Sequence, residues 1–309
     1  YFGEIANMGD SVKIIKEPEI TVQPYLRGKT ITPQDLDDED FSLTIDKANY
    51  FAFKVDDIEE AHSHVNFQSL ASDRAAYRLG DQYDQDVLGY LSGFKQSALH
   101  GSPDTVNTTT NGSVAVSTAG TDELLSSMKI DAASFGGSAG DALALQPRTG
   151  GATDSTPAVG DTFPLTVIAR MSRLLDQQNV DTQGRWLVVD PVFMELLKDE
   201  DSRLFNADFG GSGLQNGLIG MNIHGFRVYT SNNLPTVGTG PSFTGTNSST
   251  NYGMIVAGHD SAVATAEQIN KTETYRDPDS FSDIVRGMHL YGRKILRPEA
   301  LVNAKYHLA

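Results

Sequence analysis

Two stretches near the start of the chain alternate apolar and polar residues, and an acidic segment separates them. The first stretch places four apolar side chains on one side, namely Val12, Ile14, Ile20 and Val22. The second stretch does the same with Phe41, Leu43, Ile45, Phe51, Phe53 and Val55. A period of two is the pattern of a β-strand. We therefore predict one long two-stranded hairpin over residues 12–55, with a polar tip at residues 33–40.

The predicted hairpin lacks a support of its own in the neighbouring sequence. An isolated two-stranded ribbon is only marginally stable in water. The next segment, residues 56–93, has helical and not strand periodicity, with apolar positions at Val65, Ala76, Leu79, Tyr83, Val87 and Leu91. A helix from Val65 to Leu91 would be about 40 Å long. We expect another copy of the chain to support the hairpin, which favours assembly over catalysis.

The composition of the chain changes in its middle, and the pattern beyond that point is typical of alternating helices and strands. Residues 100–161 are rich in Gly, Ser, Thr, Asn and Ala, which predicts a long surface excursion with at most a short helix near residues 121–129. We expect shortening of residues 136–151 to cost well under about 1 kcal/mol. After it we predict a helix capped by Thr162, a strand at 186–189, and a helix that Asp190 caps with Pro191 in its first turn.

The last third of the chain predicts mainly strands. Residues 226–230 and 252–257 have strand character, and a second Gly/Ser/Thr loop at 236–251 separates them. Residues 260–266 fit a short turn or helix. Two further extended segments, 269–275 and 283–297, are joined by Arg-Asp-Pro-Asp. We expect these two to pair as antiparallel strands close to the hairpin and the long helix, so that both halves of the chain share one domain.

The composition of the chain argues against several functional classes, namely DNA-reading proteins, disulfide-bonded or thiol-dependent proteins and membrane-spanning proteins. The chain has 24 Lys and Arg against 40 Asp and Glu, which gives a net charge of −16. Such a chain repels nucleic acid on average, so any contact with DNA should be weak and independent of sequence. It has no cysteine, which excludes disulfides and thiolate chemistry. No apolar run reaches the roughly 18 residues that span a bilayer, so no membrane partner is expected.

Candidate chemical motifs are weak, so we predict no catalytic, metal or cofactor-binding residues. His62 and His64 do not share a helix face, and the acidic run at 35–40 lacks the Gly and Glu of a calcium loop. The glycines between 210 and 220 lack the Lys and Ser/Thr of a phosphate loop. An acidic-site hydrolase remains the rival function; it would need two inward carboxylates at a fixed spacing.

Three segments resemble the major capsid protein of tailed bacteriophages, the Hong Kong ninety-seven type fold. The first is LTIDKANYFAFKVDD at residues 43–57, which is similar to the returning limb of that family's E-loop. RWLVVDP at 185–191, followed by GFRVYTSNNLP at 225–235, is similar to its axial domain. The segment from YRDPDSFSDIVRG at 275–287 to RPEAL at 297–301 is similar to its closing peripheral-domain strands.

The resemblance implies an α+β fold with five parts. These are an N-terminal arm that leads into the E-loop (1–26), the E-loop hairpin (27–55), a peripheral domain with a long spine helix (56–99), an axial domain with variable loops (100–250), and closing strands (251–309). It also implies hexamers and pentamers that build an icosahedral virion capsid around double-stranded DNA, assembled in the host cytoplasm. Portal and scaffolding proteins, and a decoration protein, would be further partners. A related compartment or tail protein stays open as an alternative.

The same resemblance suggests where neighbouring subunits touch. The hairpin tip and its flank carry Arg27, Lys29, Asp35, Asp37, Asp38, Glu39 and Asp40. The family places a neighbour's closing strands beneath an E-loop, and these strands carry Arg286, Arg293, Lys294 and Arg297. We predict that the acidic tip meets these basic side chains across the subunit boundary.

Overall fold

Two β-sheets and one long helix make up most of the described structure. The computed structural model of the chain describes residues 2–4, 11–15, 27, 40–45, 47–56, 67–92, 124–145, 161–198, 214–215, 218–219, 222–237, 240–241 and 251–308. Within these ranges the helices are α1 Phe67–Leu91, α2 Pro164–Gln177 and α3 Pro191–Leu197. The predicted α+β class is confirmed.

The strands are numbered in chain order. They are β1 Phe2–Glu4, β2 Ser11–Ile15, β3 Asp40–Thr44, β4 Lys47–Asp56, β5 Lys129–Ile130, β6 Leu143–Leu145, β7 Asp161–Thr162, β8 Arg185–Val189, β9 Leu214–Gln215, β10 Leu218–Ile219, β11 Asn222–Ile223, β12 Phe226–Thr230, β13 Thr236–Val237, β14 Tyr252–His259, β15 Val263–Arg276, β16 Ser282–Ile295 and β17 Leu301–Leu308. Short 3-10 turns lie at Ser126–Met128, Ala132–Phe135, Asp260–Ala262 and Pro298–Ala300.

A four-stranded sheet has the order β1-β15-β16-β4, and α1 packs against one of its faces. As predicted, β15 and β16 pair antiparallel, from Val263 opposite Ile295 to Arg276 opposite Asp283. The predicted proximity of this pair to the hairpin and the long helix is also confirmed, because β4 is the next strand and α1 contacts both β4 and β16. We call the face against α1 the helix face and the opposite face the outward face.

The predicted continuous hairpin over residues 12–55 is only partly right. Strands β2 and β3 do pair antiparallel, with Val12 opposite Leu43 and Ile14 opposite Phe41. The rest of the second limb, β4, instead pairs with β16 along its whole length, from Lys47 opposite Tyr291 to Asp56 opposite Ser282. Phe53 and Val55 thus have support inside the subunit. The local alternation identified the strand but could not show that its partner lies more than 200 residues away.

The larger sheet holds the main core. Its path is β11-β12-β8-β14-β17-β6-β7, with β13 on β14 and β5 on β17. The prediction that Asp190 caps a helix is confirmed, since its carboxylate accepts a hydrogen bond from Phe193 N at 3.0 Å. The hydroxyl of Tyr306 also donates to this buried carboxylate, whose pKa burial raises. Thr162 does not cap α2 as predicted; it belongs to β7, and Phe163 occupies the cap position.

The prediction that residues 100–161 form a surface excursion is wrong for residues 124–145. Five apolar side chains there are at most 1% exposed, namely Leu124, Met128, Ile130, Leu143 and Leu145. Strands β5 and β6 both pair in parallel with β17. Shortening residues 136–151 would remove β6, and emptying even one such Leu site costs about 2–5 kcal/mol. The sequence prediction failed here because the few apolar core residues are widely spaced among many Gly, Ser and Ala residues, so no strand pattern is apparent.

Candidate subunit interface

The outward face of the four-stranded sheet carries large exposed side chains. Tyr50 on β4 is 76% exposed, and it lies opposite Met288 on β16, which is 41% exposed. On the other side of β16, Tyr275 of β15 is 42% exposed and lies opposite Ile284. Side chains of directly opposed residues lie on the same face of a sheet. The face therefore presents two separate apolar pairs, Tyr50 with Met288 and Tyr275 with Ile284, and the charged pair Arg286–Glu273 lies at the register between them. Large exposed apolar side chains on one face mark a candidate interaction surface.

Ion pairs lie between and beside these two apolar pairs. Lys54 bonds to Asp277 at 2.8 Å, and Arg286 bonds to Glu273 at 2.8 Å while it lies over the Tyr275 ring. Hydrogen bonds from Lys271 and then from Arg286 lower the pKa of Glu273 to about 2. The carboxylate thus stays ionised at any ordinary pH. Such exposed pairs contribute little to the stability of the subunit, so their main effect is to hold charges in place on the face.

A buried ion pair joins the helix face of the sheet to α1. Arg293 Nε lies 3.1 Å from Asp86 Oδ2, and both side chains are 5% exposed. The Arg293 guanidinium also donates to the Asp86 carbonyl and lies over the Tyr90 ring at 4.5 Å. Beside it, the ring of Tyr83 packs edge-on against Tyr291 with centroids 4.8 Å apart. These contacts fix α1 to β16.

The structure places the predicted interface residues in different surroundings. Arg286 is exposed on the outward face, Lys294 is half-buried there, and Arg297 follows β16 and bonds to Glu299 at 3.1 Å. Arg293 lies inside the subunit instead, so we leave it out of the proposed interface. Strand periodicity gives the reason, because odd-numbered positions of β16 such as 291 and 293 face α1.

The tip itself is almost entirely outside the described residues. Arg27 is an exposed turn residue, and Asp40 begins β3. The remaining members, Lys29, Asp35, Asp37, Asp38 and Glu39, lie outside the described residues. The contact between the tip and the basic strand residues therefore stays a prediction.

Sequence reasoning missed the apolar part of the surface. Tyr50, Tyr275 and Met288 each lie in predicted strands, but none stood out alone. Tyr50 could have been found, because it alternates with the apolar Phe51 and Phe53 and must face the other way. Met288 and Tyr275 could not, because their position on the same face as Tyr50 depends on the register of strands that are distant in sequence.

Among the described residues, no group of three or more His, Asp or Glu side chains is arranged to hold a metal ion. None of the described helices is long and apolar enough to cross a bilayer.

Comparison with known proteins gives the same fold throughout. The chain is 24% identical to a structure from Mycobacterium phage Che8, with a TM-score of 0.61 over 96% of this chain and 84% of the other. It is 16% identical to the capsid of Cyanophage P-SCSP1u, with a TM-score of 0.66 over 100% and 86% of the two chains. It is 15% identical to the mature capsid of bacteriophage PhiM1, with a TM-score of 0.65 over 99% of this chain and 84% of the other. No curated protein matches the sequence.

The sequence itself fits one family over most of its length. The family described as phage capsid protein matches residues 38–304, from β3 through the first half of β17. This range contains both sheets' principal strands and the long helix α1. The predicted resemblance to tailed-phage major capsid proteins is thereby confirmed. The chain belongs to the phage capsid protein family and is a structural, shell-forming protein of the virion.

Proposed function

We propose that the chain forms hexamers and pentamers that close into an icosahedral shell around double-stranded DNA. One observation supports this most directly. Strands β2 and β3 pair with each other and form the root of the hairpin, which contacts the outward face of the four-stranded sheet but is not one of its strands. The expressed chain should elute as megadalton particles that are closed and round in negative stain. Tubes would favour a tail protein, and a compact monomer would contradict shell formation.

We infer that the hairpin of one subunit lies across the outward face of its neighbour. That face offers Tyr50, Tyr275 and Met288 for apolar burial, which supplies most of the holding energy in protein contacts. The hairpin contributes its own apolar limb residues. In this arrangement the E-loop of residues 27–55 reaches the neighbour through its tip, while its β4 part stays paired with β16 in its own subunit. Residues 1–26 act as the arm, 56–99 as the spine region, 100–250 as the axial domain and 251–309 as the closing strands.

Charged side chains should determine how the hairpin tip aligns on the neighbouring subunit and how fast the two subunits associate. The tip carries Asp35, Asp37, Asp38, Glu39 and Asp40, and the neighbour would present Arg286, Lys294 and Arg297. Each exposed pair is worth only about 0–1 kcal/mol. Complementary charges across an interface act mainly on encounter and orientation. Many weak contacts around a ring also allow a misplaced subunit to leave before the shell closes.

Reversing Asp37, Asp38 and Glu39 to Lys should therefore slow or misdirect assembly at low salt. Added salt should reduce the difference, because it screens exposed charges. Reversing Arg286 and Arg297 to Glu in the same chain should partly restore the rate. Light scattering against time, followed by negative stain, measures both effects.

A matched control separates contact from net charge. Reversing Asp84, Asp181 and Glu195 to Lys changes the net charge equally, at three exposed positions away from the outward face. This control should assemble at the normal rate. If the restored variant assembles no better than the tip variant, the tip and these strands do not touch.

We infer further that packaged DNA is held loosely and that the chain is not an enzyme and needs no cofactor. A net charge of −16 gives average repulsion of a duplex, so the inner wall would let DNA slide during packaging. The purified subunit should show negligible duplex affinity at about 150 mM salt. Nanomolar, sequence-dependent binding by fluorescence anisotropy would contradict this.

Other partners follow from the same role. Assembly in the host cytoplasm with a scaffolding protein and a portal, and a decoration protein on the outer surface, would complete the particle. Co-expression with the other head proteins, followed by mass spectrometry of the purified particles, tests each of them.

A further inference from the structure

The root of the hairpin crosses the outward face at one glycine. Gly292 of β16 lies on this face, two strand positions beyond Leu290. A Cβ atom at Gly292 would lie 3.0 Å from the Cα of Ile45 and closer still to the carbonyl oxygen of Thr44. Both obstacles are backbone atoms, so no rotation of a side chain could relieve the overlap. The hairpin root can rest this close to the sheet only because residue 292 has no side chain.

The root is seated in a small cluster of its own. Leu43 is 0% exposed and Ile45 is 7% exposed, and they pack on Ala264 and Ala266 with Leu290 and Leu296 at the rim. Ala266 lies directly opposite Gly292 in the β15–β16 ladder. The small side chains therefore leave a shallow depression, and the two apolar residues of the hairpin fill it. This cluster is separate from the main core.

We propose that Gly292 is a positioning residue for assembly, which sets the direction in which the hairpin leaves its subunit. A side chain here would lift Thr44 and Ile45 from the sheet while the ladder between β15 and β16 stays intact. Because residues 16–39 connect the two strands of the root, a small tilt at the root would displace that segment. The proposal rests on the proposed role of the hairpin at the subunit contact, but it concerns the root and not the tip.

Two other glycines provide matched controls. A Cβ at Gly287, five residues earlier on the same strand, would meet only the ring of Phe51, which is a side chain and far from the root. A Cβ at Gly80 of α1 would meet nothing within 4 Å. Gly287→Ala thus tests a crowded position on the same strand, and Gly80→Ala tests the substitution itself.

The direction of the hairpin can be measured with two spin labels. The chain has no cysteine, so Asp40→Cys and Thr274→Cys give one labelled pair, on β3 and on the exposed part of β15. Gly292→Ala should shift or broaden the distance distribution between the labels. Gly80→Ala and Gly287→Ala should leave it unchanged. An unchanged distribution in Gly292→Ala would overturn the proposal.

Assembly provides the second measurement. Gly292→Ala should keep cooperative unfolding but give malformed particles or none, and Gly287→Ala should give normal shells even if its melting temperature falls. Should Gly292→Ala fail to fold, Leu43→Ala loosens the same root by emptying its seat, and it should give the same assembly defect. Normal shells from a folded Gly292→Ala or from Leu43→Ala would overturn the proposal. Normal shells after removal of the tip would instead refute the proposed contact.

Discussion

Replacement of residues 27–39 by a short Gly-Ser turn should leave a folded subunit and abolish shell formation. The replacement spares β3 and the seated residues Leu43 and Ile45, so both clusters of buried residues keep their members. The melting temperature should stay near that of the unchanged chain. The contact with the neighbour would be lost, so particles should be absent in negative stain and the protein should elute as small species.

A length-matched control sharpens this result. A Gly-Ser segment as long as the natural tip keeps the reach of the loop but removes its side chains. If this control also fails to assemble, the chemistry of the tip is needed as well as its length. Loss of cooperative unfolding in the short variant would show that the tip belongs to the core of its own subunit, against the proposed contact.

Removal of Arg293 should destabilise the subunit more than any other single loss of charge among the strand residues considered. Its guanidinium pairs with Asp86, and both side chains are 5% exposed. Truncating one partner of a buried pair leaves the other charge buried without compensation, which costs about 3–5 kcal/mol. Arg293→Ala should therefore lower the free energy of unfolding by about that amount, measured by denaturant titration.

Arg286 on the same strand provides the comparison. Its pair with Glu273 is exposed to solvent, so Arg286→Ala should leave the free energy of unfolding almost unchanged. The double change Arg293→Met with Asp86→Leu should recover much of the loss, because apolar side chains can replace a buried pair. Equal, small costs for Arg293→Ala and Arg286→Ala would mean that the interior pair does not hold α1 to the sheet.

The elements with strong local signals could be predicted from the sequence. The long helix was recognised from its spacing, and within the described residues it spans Phe67–Leu91. Asp190 before Pro191 marked the start of a helix correctly, because a capping carboxylate and a fixed φ act on adjacent residues. The pairing of β15 with β16 also followed from the sequence, since the turn-forming residues Arg-Asp-Pro-Asp join two extended segments.

Features that depend on distant residues could not be predicted. Strand β4 reads the same whether its partner is β2 or β16, because alternation shows only which faces are apolar. Ile130 and Leu143 belong to the core, but they stand among small polar residues and their support comes from β17. Arg293 looked like a surface charge because its partner, Asp86, is remote in sequence. The packing of Thr44 and Ile45 on Gly292 could not be predicted for the same reason, because these residues are about 250 positions apart in the sequence.

Cryo-electron microscopy of particles formed by the expressed chain tests the central claim most directly. We expect closed shells in which density for residues 27–39 crosses the subunit boundary and lies on the neighbour's outward face, over Tyr50 and Met288. Density for the hairpin folded back on its own subunit, with no contact across the boundary, would contradict it.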